Sequence, residues 1–309
     1  MITFSICITA FNRERLISRA VRSCLAQAGD DYEIVVADDG STDGTVAAIQ
    51  AFANNRIRMV CHGTNRGSCA ARNSCVAAAV GQWVVMLDSD DALQPNGLEC
   101  IRATLRDFGA EVDCYEFMMQ RDDGGCSPDP PLTDGPIDYE HYLRQIDHYR
   151  FFDPLRVIRR SAARQTPWRE WRVSGVVLHS FDLHREWRCA TCSQRVAIVH
   201  TDAPNRISWV RRGPAMARQA GADLGSEMDE ILSRHGAALQ ACAPRTWQRF
   251  QRVRASYYFL AGRVWAEIRQ AFSCLRMTPF SGEVWGQLIC GLTGPGWFAR
   301  IRSRRPPPT

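Results

Sequence analysis

The sequence contains no lysine, so all 38 of its Lys and Arg residues are arginines. This absence indicates a compositionally biased genome more than a chemical requirement. The net charge of +5 is modest and does not by itself indicate a nucleic-acid partner. No apolar run reaches the roughly 18 to 20 residues that span a bilayer, and no charged leader opens the chain. We therefore expect a cytoplasmic protein without a secretory signal.

The thirteen cysteines lack the even count and regular spacing of a disulfide framework. This pattern predicts reduced thiols, as in cytosolic proteins. A single CxxC motif, Cys189 to Cys192, has no matching second pair. A zinc site there would need His184 or His200 as a further ligand. Buried or incidental thiols are the favoured interpretation.

The first 120 residues alternate between strand patterns and helix patterns. We predict strands over 4–9, 32–37, 56–60, 83–87 and 112–118. We predict helices over 13–27, from 42 or 43 through 52, over 68–80 and over 95–108. Strands that alternate with helices predict an α/β fold with a mostly parallel, doubly wound sheet.

Three carboxylates follow the fourth predicted strand within four positions: Asp88, Asp90 and Asp91. Crowded carboxylates repel one another unless a cation lies among them. Oxygen ligands suit Mg²⁺ or Mn²⁺, which retain waters and bridge to phosphates. The cluster therefore predicts a metal–diphosphate site. The alternative is an acidic turn that caps the next helix, with Pro95 near its first turn.

Each of the first four predicted strands is followed by a polar segment. The carboxyl ends of parallel strands meet at one edge of a sheet, where ligands of such folds bind. Four polar segments are therefore expected to converge on that edge, and this convergence predicts a functional site there. The segments are 11–13, 38–41, 65–67 and 88–91.

The rest of the chain has weaker patterns. Residues 121–136 are rich in Pro, Gly and Asp and predict a mobile loop, and residues 137–210 form a mixed region. A connector with some helical content is expected over 213–225, with helices over 226–240 and from 244 onward. We divide the chain at 1–120, 121–212 and 213–305, and expect a disordered tail over 306–309.

Four segments, taken together and in this order, resemble the family 2 glycosyltransferases. They are SICITAFNR (5–13), EIVVADDGSTDGT (33–45), NRGSCAARN (65–73) and WVVMLDSDD (83–91). The resemblance implies a GT-A fold with a mixed acceptor region and, in this chain, a C-terminal helical extension. It also implies an inverting, metal-dependent transfer of a sugar from a nucleotide-diphosphate sugar to an acceptor hydroxyl. The expected setting is bacterial surface or exopolysaccharide synthesis.

The resemblance carries nucleotide-binding roles to the first two polar segments. Thr9, Phe11 and Asn12 border the nucleotide, and Phe11 is placed to stack on the base. Asp38 and Asp39 match the aspartates that hydrogen-bond the base or ribose, with Asp39 the favoured residue.

The later segments match the parts of the family that face the phosphates. Arg72 is expected to reach the nucleotide or the phosphates. Asp88 and Asp90 form the DxD motif around Ser89. Asp88 is expected to approach the ribose or a metal-bound water, and Asp90 the Mn²⁺ or Mg²⁺ ion. Asp91 would tune the others or contact the donor sugar.

The chain departs from the family where a general base is expected. The family often carries an acidic pair before an aromatic residue, and here that pair reads His179-Ser180. Asp182 is the first choice for the base, with Glu170 and His179 as alternatives. If none of them acts as a base, the chain is a weak or inactive transferase.

The acceptor is expected in the mixed region, as a saccharide or a lipid-linked saccharide. Trp168, Trp171, Trp187 and Trp209 could stack on sugar faces or pack in the core. Residues 245–305 carry eleven arginines against two glutamates, together with many aromatic residues. This composition suits the inner surface of an anionic membrane, but a helical bundle packed on the catalytic domain fits equally well. Nucleic acid is not expected, because no RNA-binding motif accompanies the charge.

Three other functions fit the residues less well. A sugar-phosphate nucleotidyltransferase usually has a Gly-rich loop after the first strand, and residues 9–13 contain no glycine. A Rossmann dehydrogenase needs GxGxxG at the same place. A non-catalytic module that binds sugars or nucleotides remains the alternative from a different class.

Overall fold

The computed structural model describes residues 2–109, 111–149, 152–202, 214–277 and 285. Two compact units make up the chain, Met1–Arg206 and Ile207–Thr309. None of the described helices is both long and apolar enough to cross a membrane. The cysteines of the described ranges are all free thiols.

A parallel half-sheet forms the first part of the first unit. Its strands are β1 (Phe4–Ala10), β2 (Tyr32–Asp38), β3 (Ile57–Cys61) and β4 (Trp83–Asp88), in the order β3-β2-β1-β4. The helices that connect them are α1 (Ile17–Leu25), α2 (Thr45–Gln50) and α3 (Ser68–Ala78). Helices α1 and α2 begin a few residues later than predicted, because turns come first. This half confirms the predicted α/β fold.

The register of the half-sheet places the ends of its strands, and the polar segments that follow them, side by side. Thr9 of β1 lies beside Ala37 on one side and Asp88 on the other, and Ala10 lies beside Asp38. Strands β1 and β2 are buried along almost their whole length, as expected when helices cover both faces of a parallel sheet. The carboxyl ends of β1, β2 and β4 therefore form a common edge.

Antiparallel pairing enters the sheet in the second half of the unit. The sheet continues from β4 in the order β4-β9-β6-β10-β5, and β9 runs antiparallel to both β4 and β6. The strands are β5 (Ala92–Leu93), β6 (Cys114–Arg121), β7 (Cys126–Ser127), β8 (Gly135–Ile137), β9 (Leu155–Arg159) and β10 (Cys189–Val199). The helices are α4 (Gly97–Phe108), α5 (Tyr139–Ile146), α6 (Arg160–Gln165) and α7 (Val176–Glu186). The segment 121–136, predicted as a loop, supplies β7, which pairs with β6, and the start of β8, which pairs with β10.

An apolar core holds the strands in this register. It includes Ile8 of β1, Val36 of β2, Leu87 of β4 and Phe117 of β6, all 3% exposed or less. Burial of each such side chain stabilises the fold by roughly 1.5 to 3 kcal/mol. The strand ends that carry the polar segments are thereby fixed on a rigid support.

The second unit is helical. Its described helices are α8 (Pro214–Cys242), α9 (Pro244–Leu260) and α10 (Val264–Met277), and α9 packs against both of the others. The expected connector 213–225 falls largely within α8. Gly221 lies so close to α9 that a Cβ atom there would meet the Leu260 Cβ at 2.6 Å. Gly221, within the expected connector, thus permits close helix packing. The predicted tail 306–309 lies outside the described residues.

Candidate active site

The carboxylates that follow β4 form a compact cluster. One carboxylate oxygen from each of Asp88, Asp90 and Asp91 lies within 4.8 Å of the others. Asp88 is exposed, Asp90 is half-buried and Asp91 is buried. Two unit charges at such a separation near a protein surface repel by about 3 kcal/mol. Among the described residues this is the one group of three His, Cys, Asp or Glu side chains whose ligand atoms lie so close together.

The electrostatics of the cluster disfavour a negative charge on all three carboxylates, even with Arg72 paired to Asp88. Burial and the charges of Asp88 and Asp90 raise the pKa of Asp91 to about 8. A cluster of this kind either retains a proton at neutral pH or takes up a cation. Three hard oxygen donors suit a divalent ion such as Mg²⁺ or Mn²⁺, so the residues present fit the expected metal.

Side chains from distant parts of the chain hold the cluster in place. Arg72 of α3 donates to Asp88 Oδ1 at 2.9 Å. Arg19 of α1 donates to the carbonyl oxygen of Asp90 at 2.5 Å and pairs with Asp202 at 2.8 Å. The pairing of β5 with β10 brings the end of β10 to the same place. There, the backbone N–H of His200 donates to Asp91 Oδ1 at 3.1 Å.

Asp153 lies near the cluster and was not predicted from the sequence. Met86 pairs with Arg156 in the antiparallel register of β4 and β9, so the residues just before β9 lie beside the end of β4. Asp153 keeps an exposed surface, but surrounding protein atoms reduce the hydration of its carboxylate. This desolvation and the charge of Asp88 raise the pKa of Asp153 to about 6. The only local signal was an Asp-Pro step before an apolar run.

The two aspartates after β2 differ in how their oxygens are used. Asp39 is buried and accepts hydrogen bonds from the backbone N–H groups of Arg66 at 2.9 Å and Gly67 at 2.8 Å. His62 Nδ1 lies 2.7 Å from the same carboxylate. Asp38 accepts from the Ser41 N–H at 3.0 Å through Oδ2. Its buried Oδ1 finds no hydrogen-bond partner in the described part of the chain.

The segment after β1 is tied to the segment after β2. The Asn12 N–H donates to Ser41 Oγ at 2.9 Å, and Asn12 Oδ1 accepts from the Thr42 N–H at 2.9 Å. Asn12 has a φ of 53°, in the left-handed region that asparagine tolerates better than most residues. Thr9 and Phe11 beside it are half-buried. The edge thus brings together Thr9, Phe11, Asn12, Asp38, Asp39, Arg72, Asp88, Ser89, Asp90 and Asp91.

The position of the family's acidic pair lies on α7, within a buried polar network. Arg156 donates to Glu116 Oε1 at 2.8 Å and to Ser180 Oγ at 2.7 Å. Tyr142 donates to the same Ser180 oxygen at 3.1 Å. His184 lies 3.3 Å from Glu116 Oε2 and stacks on the Tyr142 ring at 3.7 Å. Ser180 is therefore a structural member of this network.

The three proposed bases occupy different environments. His179 is buried and stacks on Trp168 at 3.8 Å, and burial and the charge of Arg156 hold its pKa well below the usual value. Glu170 is exposed and pairs with Arg66 at 2.8 Å. Asp182 lies on α7 and is 8% exposed.

The tryptophans of the mixed region also differ. Trp168 is 5% exposed and packs inside the protein. This agrees with core packing, the alternative to stacking on a sugar. Trp187 is half-buried and donates to Thr166 Oγ1 at 2.7 Å. Trp171 is half-buried. Trp209 lies outside the described residues.

Comparisons with known proteins identify the family of the chain. The family model described as Glycosyl transferase family 2 matches residues 5–166. The succinoglycan biosynthesis protein ExoO of Rhizobium meliloti is 39% identical over 105 residues, which are 34% of this chain and 30% of that protein. The Escherichia coli glucosyltransferase WfgD is 35% identical over 95 residues, or 31% of this chain and 38% of that enzyme. The matched segments thus span about a third of these relatives.

Solved structures share the fold. Residues 1–349 of Staphylococcus aureus TarS, in complex with UDP-GlcNAc, align with a TM-score of 0.63 at 18% identity. The alignment covers 84% of this chain and 72% of that chain. The mannosyltransferase PcManGT of Pyrobaculum calidifontis, with GDP-Man and Mn²⁺, aligns with a TM-score of 0.55 at 15% identity over 94% of this chain and 86% of that chain. With a family model that matches more than half of its length and this shared fold, the chain belongs to glycosyl transferase family 2.

Proposed function

We propose that the chain is an inverting, metal-dependent glycosyltransferase that moves a sugar from a nucleotide-diphosphate sugar to an acceptor hydroxyl. The observation that carries this proposal is the acidic cluster of Asp88, Asp90 and Asp91 beside Arg72 at the shared edge of β1, β2 and β4. Solved neighbours of the same fold hold UDP-GlcNAc, or GDP-Man with Mn²⁺. A diphosphate donor bound at this edge together with a divalent cation would satisfy the charge pattern.

In this proposal the first two polar segments bind the nucleoside. Phe11 stacks on the base, with Thr9 and Asn12 at its border. The unused Oδ1 of Asp38 accepts a hydrogen bond from the base or ribose. Asp39 contributes indirectly, because its oxygens already hold the segment that contains Arg66.

Arg72 and the fourth segment bind the diphosphate. Asp90 and Asp88 would hold Mn²⁺ or Mg²⁺, with Ser89 between them and Asp91 next to the donor sugar. When bound, the ion would stabilise the negative charge that develops on the departing diphosphate. Arg72 offers the phosphates a cationic donor while it orients Asp88.

Inversion requires a base that takes the acceptor proton on the sugar face opposite the diphosphate. We retain Asp182 as the first choice. His179 is a poor choice because its ring is enclosed against Trp168, and Glu170 is engaged by Arg66. Asp153 is a second candidate, favoured by its exposed surface beside the acidic cluster.

The Asp182→Asn and Asp153→Asn variants separate these two bases. Loss of the base should lower kcat by about 100-fold or more with little change in donor affinity. A loss confined to one variant identifies the base. Full activity in both variants would reject a carboxylate base at either position.

The names of two relatives indicate which kind of acceptor to expect. One relative is named for succinoglycan biosynthesis, and WfgD is named for transfer to a diphosphoundecaprenol-linked sugar. We propose a saccharide or lipid-linked saccharide acceptor in bacterial surface or exopolysaccharide synthesis. Such an acceptor would place the enzyme in the cytoplasm, at the inner face of the membrane. The alternative is a non-catalytic module that binds nucleotide sugars.

A thermal-shift panel tests donor and metal binding. The protein is heated with UDP, GDP, CDP and dTDP sugars, each with and without Mn²⁺. We expect one nucleotide to raise the unfolding temperature, and Mn²⁺ to increase that rise. Asp90→Asn should remove most of the rise.

Asp107→Asn is the matched control, because it removes the same charge from an exposed position on α4. It should keep the full shift. Equal shifts in Asp90→Asn and Asp107→Asn would reject the metal assignment, and the absence of any shift in the wild type would reject donor binding.

A further inference from the structure

One face of helix α10 packs against the rest of the second unit, and the opposite face is exposed to solvent. Ala271, Cys274 and Leu275 form a buried apolar cluster. Gln270 donates to Gln251 Oε1 of α9 at 2.8 Å, and Arg254 of α9 donates to Gln270. The packing face of α10 is therefore already satisfied within the unit.

The opposite face of α10 carries two large aromatic residues that folding leaves exposed. Trp265 is 81% exposed and Phe272 is 53% exposed. They are seven residues apart, so they lie on the same side of the helix, nearly two turns from each other. Such exposure is unusual for side chains of this size, and it is repeated along a single line.

Two exposed arginines lie on the same line. Arg269 and Arg276 follow Trp265 by four and eleven positions, which places all four side chains within a narrow arc of the helix surface. Neither arginine has an ion-pair partner in the part of the chain that the structure describes. We call the set Trp265, Arg269, Phe272 and Arg276 the α10 stripe.

The charge around the stripe is of one sign. Every acidic residue that the structure describes in the second unit is buried or half-buried, namely Asp223, Glu227, Asp229, Glu230 and Glu267. The exposed charged residues described there are all arginines: Arg218, Arg245, Arg249, Arg263, Arg269 and Arg276. The part of this unit's surface that the structure describes therefore attracts an extended anionic partner.

We propose that the α10 stripe binds the surface of an anionic phospholipid bilayer. Aromatic side chains on one line of a helix can enter the headgroup region together, while arginines between them pair with lipid phosphates. A flat anionic surface matches a straight stripe in which aromatic and cationic residues alternate. This inference does not depend on sugar transfer, so it can hold whether or not the proposed function is correct.

Vesicle co-sedimentation of the full chain tests the proposal. The wild type should bind phosphatidylglycerol–phosphatidylcholine vesicles and bind pure phosphatidylcholine vesicles far more weakly. Trp265→Ala/Phe272→Ala should lower the partition coefficient about tenfold. Arg269→Gln/Arg276→Gln should lower it about fivefold for each arginine removed.

The matched control removes two exposed arginines from the first unit, as Arg22→Gln/Arg106→Gln. It has the same net charge as the arginine variant of the stripe and should keep wild-type binding. Circular dichroism of each variant checks that the helices remain folded.

Three results would overturn the proposal. The first is a wild type that does not bind the anionic vesicles, and the second is a stripe variant that binds them as the wild type does. The third is a difference in oligomeric state without a difference in binding. Light scattering would show that the wild type is a dimer and the aromatic variant a monomer, while both bind the vesicles equally. That result would assign the stripe to a second copy of the chain.

Discussion

Arg156 of β9 donates to Glu116 of β6 at 2.8 Å, and both side chains are enclosed beneath α7. The same guanidinium donates to Ser180, so this ion pair fixes the helix segment in which the family usually carries its acidic pair. A buried pair of this kind holds its surroundings in one arrangement, because either charge alone would be costly to bury.

Glu116→Gln should therefore lower the free energy of unfolding of the first unit by about 3 to 5 kcal/mol. The substitution leaves Arg156 buried without its counter-charge. Urea unfolding measures the change. Glu140→Gln is the control, because it breaks an exposed i,i+4 pair with Arg144 and should cost less than about 0.5 kcal/mol. Similar losses in both variants would contradict this account of the pair.

Stability should also depend on pH through His184. Burial alone would lower its pKa, but interactions with Cys189 and Glu116 outweigh burial and raise the pKa to about 9. A raised histidine pKa gives stability that is complete below its ordinary value near 6.5 and lost as pH rises through 9. The unfolding temperature should therefore fall between pH 6.5 and pH 9.

His184→Gln isolates this contribution. The raised pKa of Asp91, about 8, also removes stability in this range, since the folded protein then loses a proton that it holds more tightly than the unfolded chain. The His184→Gln variant keeps the pH dependence due to the carboxyl group of Asp91 and loses the pH dependence due to His184. Its unfolding temperature should therefore fall less steeply between pH 6.5 and pH 9. An unchanged decline would reject the role of His184.

The two aspartates after β2 should separate binding from stability. Asp38→Asn should weaken nucleotide binding by roughly 10-fold or more, because it removes the charge of an oxygen that has no hydrogen-bond partner among the described residues and that we propose accepts from the nucleoside. Asp39→Asn should instead cost about 1 to 3 kcal/mol of stability, because its oxygens accept from Arg66 and Gly67. Calorimetric titration of both variants measures nucleotide affinity, and urea unfolding measures their free energy of unfolding. The reverse pattern would favour Asp39 as the nucleoside contact.

Gly67 should not tolerate a side chain. Its φ is 102°, and a Cβ atom would lie 2.7 Å from the backbone of Arg172. Gly67→Ala should destabilise the protein by about 2 kcal/mol or more, from backbone strain and from displacement of the segment around Arg172. Gly109→Ala is the control, since Gly109 has a φ of 75° and a Cβ atom there would meet no atom of the described residues within 4 Å. Equal losses in urea unfolding would show that only the backbone conformation matters.

The parallel half of the fold could be predicted because its strands and helices follow regular apolar periods. The same regularity predicted that Asp38 and Asp88 lie at one edge of the sheet. Asp153 could not be predicted in this way. Its place depends on an antiparallel pairing of β9 with β4 between residues far apart in sequence, and no local pattern records such a pairing.

The sequence was a weaker guide in two other places. A connector was expected over 213–225, whereas the missing side chain of Gly221 allows α8 to pack closely on α9. The sequence likewise could not tell which oxygens after β2 are already used, because Asp39 is engaged by backbone N–H groups of a segment almost thirty residues away.

The most direct test of the central claim is donor turnover. Nucleoside diphosphate release from UDP, GDP, CDP and dTDP sugars is measured with and without Mn²⁺, for the wild type, Asp90→Asn and Asp107→Asn. We expect Mn²⁺-dependent release from one donor, a loss of about 100-fold or more in Asp90→Asn, and wild-type rates in Asp107→Asn. Release that is equal in all three proteins, or that ignores Mn²⁺, would contradict a metal-assisted sugar transfer at the acidic cluster.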